Sequence, residues 1–193
     1  MLIVFEGIDG SGKTTQAKIL TKRLTERGLK VFYSKEPTEG IIGRFIREEV
    51  LSKGRITDPR SIALLYAADR SIHLNSVIFS DDVINIFDRF YYSSIAYQGA
   101  LGVPVDYIMA VNSFAPKPDL TFLMDIDPLL GLKRLNRFDR FENVETLVKV
   151  REIYLSLAKQ YGMIVVDAAK GEQEISDKII KILEETRPVV KTR

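Results

Sequence analysis

The amino-acid sequence predicts an α/β fold with a five-stranded parallel sheet and helices on both faces. Two observations support this. Short apolar runs of the buried-strand type alternate along the chain with longer stretches of helical character, the order that produces a covered parallel sheet. A glycine-rich segment also lies between the first apolar run and the first helical stretch. With 193 residues, the chain is expected to form a single domain, 1–193.

Five apolar runs are predicted to form the strands. The first is ended by a glycine, and the third places Asp88 at its carboxyl end. The runs are LIVF, KVFYS, DVINIFD, PDLTFLMDI and MIVVDA, at 2–5, 30–34, 82–88, 118–126 and 163–168.

Helical stretches follow each of these runs. In the first, Ala17, Leu20 and Leu24 recur with helical spacing, and Gly28 is placed to end the helix. The predicted helices cover 13–27, 41–52, 59–78, 92–100, 104–114, a segment that begins after Pro128, about 143–160, and 172–185.

The composition argues against several classes of function. The 28 basic and 26 acidic residues give a net charge of +2, which does not indicate binding to polymeric nucleic acid or to a membrane. Without cysteine there are no disulfides and no thiolate zinc sites. The single histidine, His73, cannot build a histidine-based metal centre alone and is expected on the surface of a helix. No apolar run reaches the roughly 18 residues of a membrane span, and MLIVFEG is too short and too quickly acidic for a signal peptide, so a cytoplasmic location is expected.

The glycine-rich segment GIDGSGKT fits the phosphate-binding pattern G-x-x-x-x-G-K-[ST]. Glycines let the backbone approach a ligand closely, and successive amides with the helix N-terminus then face an anion. Lys13 would contact the outer phosphates, and Thr14 would offer a hydroxyl to Mg²⁺. The sequence therefore predicts a P-loop NTPase-type three-layer fold that binds a nucleoside triphosphate. The predicted triphosphate contacts are Gly7, Ile8, Asp9, Gly10, Ser11, Gly12, Lys13, Thr14 and Thr15.

The residues around this loop favour a kinase. A GTPase would need a base-reading NKxD-type segment, which the sequence lacks. An ATPase motor usually ends its third strand in Asp-Glu, whereas this one ends in Asp88-Arg89. An arginine fork at that point suits a second phosphate. A nucleotide-dependent switch protein is the alternative.

Three further segments belong with the phosphate loop: KEPTEG after the second strand, YAADR on a predicted helix, and DRFYYSSIAYQG after the third strand. Together with FEGIDGSGKTT they resemble the thymidylate kinase family, which phosphorylates dTMP with ATP. The resemblance runs from Leu2 to about Ala168. It implies Mg²⁺ held by Thr14 and Asp88, ATP and dTMP as substrates, and a homodimer. A kinase preferring another pyrimidine monophosphate, such as dUMP, is the alternative within this reaction class.

The resemblance also implies the acceptor site. Tyr66 would stack on thymine, Arg70 would reach the base edge one helical turn later, and Arg89 would bind the dTMP phosphate. Asp9 would face the sugar 3′-hydroxyl, and Tyr97 would leave no room for a 2′-hydroxyl. The implied acceptor set is Glu36, Arg47, Tyr66, Arg70, Arg89, Ser94, Tyr97 and Gln98.

Each of these assignments has a structural alternative. The two tyrosines would otherwise be core aromatics, Arg70 a surface ion-pair partner beside a solvated Asp69, and Ser94 a helix cap.

The segment LKRLNRFDRFE is predicted to form a short lid at about 134–142. The variable positions of the phosphate loop carry no basic residue, so a lid arginine would have to stabilise the transferred phosphoryl. Arg137 and Arg140 are the candidates, whereas Arg134 would continue a helix. The alternative is a solvated basic helix end. The chain also has Thr38-Glu39 where many relatives have two glycines.

Overall fold

The computed structural model describes residues 1–135 and 143–186. Its strands are β1 (Leu2–Glu6), β2 (Lys30–Lys35), β3 (Val83–Asp88), β4 (Leu120–Asp125) and β5 (Ile164–Asp167). They form one sheet in the order β2-β3-β1-β4-β5, and every neighbouring pair is parallel. The predicted five-stranded parallel α/β fold is therefore confirmed.

The centre of the sheet is covered on both faces. All five residues of β1 are buried, although successive side chains of a strand point to opposite faces. Within the sheet, Val4 lies opposite Phe87 on one side and Thr121 on the other. The edge strand β2, by contrast, has only exposed and half-buried positions. The core is thus centred on β1 and its two neighbours.

The helices are close to those predicted from the sequence. They are α1 (Lys13–Glu26), α2 (Ile41–Phe45), α3 (Pro59–Asn75), α4 (Tyr91–Ala100), α5 (Val105–Val111), α6 (Pro128–Lys133), α7 (Val144–Tyr161) and α8 (Glu172–Thr186). Helix α1 contacts β2 and α8, whereas α4 contacts α3, α5 and α7.

Two helices differ from the predictions. The predicted helix 41–52 is α-helical only over α2 and continues as a π-helix over Ile46–Ser52, where bonds such as Lys53 N to Glu48 O, 2.9 Å, span five residues. The helix predicted over 59–78 ends at Asn75, because Ser76 donates its amide and its hydroxyl to the His73 carbonyl at 2.9 and 2.7 Å.

The loops at the carboxyl ends of three adjacent strands meet at one edge of the sheet. The phosphate loop follows β1, Arg89 follows β3, and Glu36 follows β2 with its amide bonded to the Asp88 carbonyl at 3.0 Å. This edge is where parallel α/β sheets bind ligands. Within residues 1–135 and 143–186, no helix has the length and apolar character needed to cross a bilayer.

Candidate active site

The phosphate loop is held close to a neighbouring helix. Gly10 has a φ of +77°, and a Cβ there would lie 2.0 Å from the carbonyl oxygen of Gly131 in α6. Only glycine fits both the conformation and the space. The loop then enters α1 through Gly12, and the Lys13 ammonium donates to the Ile8 carbonyl at 2.7 Å. Backbone and lysine therefore face the same space.

Lys13 is buried, and burial disfavours the charged form of its side chain. Burial, reinforced by the charge of Arg89, lowers the pKa of Lys13 to about 8 from its ordinary 10.5, although Asp9 and Asp88 oppose the shift. A bound polyanion would stabilise the protonated form.

The larger of two adjoining cavities, about 500 Å³, opens over this loop. Outside the loop, Arg134 and Lys170 line it, and Arg134 donates to the Ala168 carbonyl at 2.9 Å. The full lining is Asp9, Gly10, Ser11, Gly12, Lys13, Thr14, Thr15, Gln16, Lys35, Asp88, Arg89, Arg134, Leu135, Ala168, Lys170, Glu172 and Ile175.

Thr14 and Asp88 lie side by side in the lining of this cavity. The Thr14 hydroxyl donates to Asp88 Oδ2, and the Lys35 ammonium lies 3.7 Å from that oxygen. The other carboxylate oxygen, Asp88 Oδ1, is buried and has no hydrogen-bond partner among the described residues. A hydroxyl beside an unsatisfied carboxylate oxygen is a donor set that suits Mg²⁺.

The smaller cavity, about 250 Å³, lies beyond Arg89. Two of its lining residues each carry a buried polar atom, Ser94 Oγ and Gln98 Oε1, that has no hydrogen-bond partner within the described part of the chain. Buried polar atoms of this kind are costly unless a ligand pairs with them. The lining residues are Asp9, Lys35, Glu36, Pro37, Glu39, Arg47, Leu51, Tyr66, Arg89, Ser93, Ser94, Tyr97 and Gln98.

The two cavities share three residues, Asp9, Lys35 and Arg89. Arg89 has a φ of +73°, which is unusual for a non-glycine residue. Its guanidinium donates to Asp9, and the Tyr97 hydroxyl donates to the same carboxylate at 2.6 Å. Burial opposes ionisation of Asp9, but the charges of Arg89 and Lys13 and the Tyr97 hydrogen bond lower its pKa to about 2. Asp9 is therefore anionic at neutral pH.

In the loop after β2, Thr38 and Glu39 stand where many relatives have two glycines, and both form hydrogen bonds to neighbouring residues. The amide and hydroxyl of Thr38 donate to the buried Asp69 carboxylate at 2.7 and 2.6 Å. Arg47 donates to the Pro37 carbonyl and to Glu39, both at 2.7 Å. A Cβ at Gly43 would lie 1.9 Å from the Thr38 carbonyl oxygen, so helix α2 packs directly on this loop. Asp69 is thus not a solvated acid.

Two polar residues of α3 lie deeper than the sequence indicated. Arg70 is buried and donates from Nε to Glu36 at 2.8 Å and from Nη1 to Asn112, and it lies outside the lining of both cavities. The surface alternative for Arg70 is therefore wrong. The prediction that His73 lies on the surface is also wrong: His73 is buried, with Nδ1 3.0 Å from Glu36 Oε1 and its ring centroid 4.7 Å from that of Phe87. Glu36, from the loop after β2, gives both side chains a buried partner, whereas His73 Nε2 has no hydrogen-bond partner among the described residues.

The comparison with known proteins decides the family. A family model described as thymidylate kinase matches residues 5–179. The chain belongs to the thymidylate kinase family. It is 43% identical over 190 residues to a "Probable thymidylate kinase" of Pyrobaculum calidifontis, covering 95% of this chain and 96% of the relative. It is 46% identical over 189 residues to "Probable thymidylate kinase 1" of Saccharolobus solfataricus, with the same coverage. A "Probable thymidylate kinase" of Methanocaldococcus jannaschii is 43% identical over 187 residues, 95% of each chain.

The structure groups most residues that the thymidylate kinase resemblance implied. Every member of the predicted acceptor set except Arg70 lines the smaller cavity. Of the predicted triphosphate contacts, Gly7 and Ile8 alone lie outside the lining of the larger cavity. Arg137 and Arg140 lie outside the described residues.

Two polar residues that the sequence analysis did not assign belong to this region. Lys35 lies at the carboxyl end of β2 opposite Asp88 and lines both cavities. Glu6, at the end of β1, is buried with four hydrogen-bond donors around it. Their position in the sequence could have indicated both residues, since each is a charged residue at the carboxyl end of a predicted parallel strand.

Proposed function

We propose that the protein transfers the γ-phosphoryl group of ATP to dTMP, giving ADP and dTDP. The observation that carries this is the meeting of two cavities at Asp9, Lys35 and Arg89, one over a phosphate loop and one lined by polar and aromatic side chains. An oxygen of the dTMP phosphate would attack the γ-phosphorus. The bond from that phosphorus to the β–γ bridging oxygen would break, and ADP would leave. No covalent enzyme intermediate is required.

The donor side is assigned to the larger cavity. Backbone amides from Gly10 to Thr14 would bind the phosphates, and the Lys13 ammonium would follow the migrating phosphoryl group. Thr14 and Asp88 would hold Mg²⁺, Asp88 directly or through water. When bound, the metal neutralises charge that develops on the β- and γ-phosphate oxygens. The buried, unsatisfied Asp88 Oδ1 supports this assignment.

The acceptor side is assigned to the smaller cavity. Arg89 would bind the dTMP phosphate bidentately, held by an Asp9 carboxylate that is too acidic to act as a strong base. Tyr66 would stack on the base, and the unsatisfied atoms of Ser94 and Gln98 would bind the base or sugar. Tyr97 would exclude a 2′-hydroxyl, and Arg47 and Glu36 complete the proposed set.

Arg70 is a separate case. Because Glu36 and Asn112 hold its guanidinium outside the cavity lining, contact with the base would require it to exchange one of these partners.

The proposal also covers the lid, the oligomeric state and the location of the protein. We assign the lid to about 134–142 of a single domain, with Arg137 or Arg140 stabilising the transferred phosphoryl. A homodimer and a cytoplasmic location are proposed from the resemblance. The dimer would use α3, where Leu64 and Ile72 have 47% and 61% of their surface accessible.

The test is ADP release from ATP and Mg²⁺, measured with dTMP, dUMP, AMP or no acceptor. Turnover should depend on dTMP, and kcat/KM for dUMP should be roughly 10–200-fold lower, since one methyl group in an apolar pocket discriminates only modestly. AMP should be a poor acceptor. ADP release that is indifferent to dTMP would indicate a switch protein, and efficient use of AMP would refute the thymidylate assignment.

A further inference from the structure

Glu6 is a charged residue at the end of an otherwise apolar strand. Its side chain is fully buried and lies outside the lining of both cavities. The Phe90 and Ser93 amides donate to Oε1 at 2.9 and 3.2 Å, and the Ser93 and Tyr154 hydroxyls donate to Oε2 at 2.5 and 2.9 Å. A buried carboxylate is costly unless donors surround it, and this one has four.

Three of these four donors, from Phe90 and Ser93, lie at the start of helix α4. The amides of Phe90 and Ser93 lie at its N-terminus, where the first backbone N–H groups of a helix lack i−4 partners, and the Ser93 amide is shared with the Phe90 carbonyl at 3.0 Å. No side chain of the helix's own N-cap accepts from them. Glu6 therefore takes the place of the N-cap from a neighbouring strand, where a negative charge also complements the helix dipole.

The same cluster continues to Arg89. The Ser93 hydroxyl donates to Glu6 and accepts a hydrogen bond from Arg89 Nη1 at 3.2 Å. The same nitrogen lies 3.4 Å from the Gly7 carbonyl oxygen, and the other terminal nitrogen, Nη2, donates to Asp9. The guanidinium is thus fixed from two directions.

Arg89 needs such support because of its backbone. A φ of +73° in a non-glycine residue persists only where the surroundings fix it. The amide of Arg89 is bonded to the Phe5 carbonyl at 2.9 Å, directly before Glu6. Its neighbour Phe90 is bonded to Glu6 itself.

We propose that Glu6 is a positioning residue for phosphoryl transfer: through Ser93 and the N-terminus of α4, it fixes Arg89 toward the acceptor cavity. The kinetic part of this inference rests on the proposed function, whereas the placement of Arg89 does not. Burial raises the pKa of Glu6, while the Ser93 hydrogen bond and the Arg89 charge favour its ionised form. Only the ionised carboxylate can accept from all four donors.

The test compares Glu6→Gln with a matched control, Asp125→Asn. Asp125 is also a strand-end carboxylate bound to α7, through a pair of Arg151 bonds at 2.7 and 2.9 Å, but it lines neither cavity. In Glu6→Gln an amide N–H₂ replaces one acceptor oxygen, so donors around it lose their partner. Both variants should lose thermal stability.

Only Glu6→Gln should use dTMP less efficiently than the wild type. Its kcat/KM for dTMP should fall by about 10- to 100-fold, the size expected when a catalytic group shifts by up to an ångström. Its affinity for a non-hydrolysable ATP analogue should be unchanged. Glu6→Asp, which keeps the charge, should recover part of the activity. Wild-type dTMP kinetics in Glu6→Gln would overturn the proposal.

Two further measurements test the positioning role if dTMP is not the acceptor or if Glu6→Gln does not fold. The Arg89 side-chain ¹⁵N–¹H resonances can be assigned by their loss in Arg89→Lys. They should shift or broaden in Glu6→Gln and persist unchanged in Asp125→Asn. Unchanged resonances in Glu6→Gln would refute the positioning role even if the wild type phosphorylates another acceptor. If Glu6→Gln does not fold, Ser93→Ala removes the hydroxyl link alone and should lower kcat/KM for dTMP. Wild-type kinetics and resonances in Ser93→Ala would then refute the proposal.

Discussion

Lys13 should take up protons when ATP binds. Burial and the charge of Arg89 lower the pKa of this residue to about 8 from 10.5. A difference of that size corresponds to roughly 3 kcal/mol between the two protonation states. Phosphates in the adjoining cavity would place negative charge beside the ammonium, so ATP binding should restore the charged form.

Calorimetry can measure this uptake directly. At pH 8 about half of the free molecules should carry neutral Lys13, so binding one ATP should take up about 0.5 proton, against about 0.1 proton at pH 7. Titrations at pH 8 in two buffers of different ionisation enthalpy report the uptake as a difference in heat. In Lys13→Arg the guanidinium keeps its charge but does not titrate, and the uptake should vanish.

The same residue should affect stability with a defined sign. Because the folded-state pKa of Lys13 is lowered, the folded protein binds fewer protons than the unfolded chain between about pH 8 and 10.5. The contribution of Lys13 to the free energy of unfolding should therefore rise with pH across that window, and Lys13→Arg should lack this contribution. Equal ATP-binding heats in the two buffers at pH 8 would show that Lys13 is already charged in the free protein, and would refute the burial argument.

The fold could be predicted because its signals are local. Buried strands read as short apolar runs, and a glycine ends the first of them. The boundaries differ where specific polar contacts decide them. The helix predicted to reach residue 78 ends at Asn75 because Ser76 bonds back to His73, and the α-to-π transition after Phe45 has no counterpart in residue spacing.

The residues of the candidate site also differ in whether a local segment of the sequence could predict their placement. The phosphate loop could be predicted because one continuous segment supplies the glycines, the lysine and the helix N-terminus. The placement of Arg70 and His73 could not, because it depends on Glu36, which is 34 and 37 residues away in the chain. A lone histidine on a helix is usually solvated. The Glu36 carboxylate changes that balance by giving one nitrogen of the His73 ring a partner in the interior.

Substitutions at Arg89, Thr38 and Arg70 test the acceptor side and the loop after β2. Arg89→Ala should raise KM for dTMP far more than it weakens ATP binding, because its proposed partner is the acceptor phosphate; equilibrium titrations showing the reverse would move Arg89 to the donor site. Thr38→Ala should lower the free energy of unfolding by about 1–3 kcal/mol, since the buried Asp69 loses a hydroxyl partner, whereas Thr38→Ser should not; equal denaturant midpoints for both would contradict this. Arg70→Met should cost about 3–5 kcal/mol, because it leaves the buried Glu36 without its main partner. Adding Glu36→Gln removes the unpaired charge and should restore much of that stability, with Glu36→Gln alone as the control. If Arg70 also contacts the base, KM for dTMP should stay raised in the double variant after its stability has returned. Recovery of KM to that of Glu36→Gln alone would show that Arg70 only pairs with Glu36 and does not read the base.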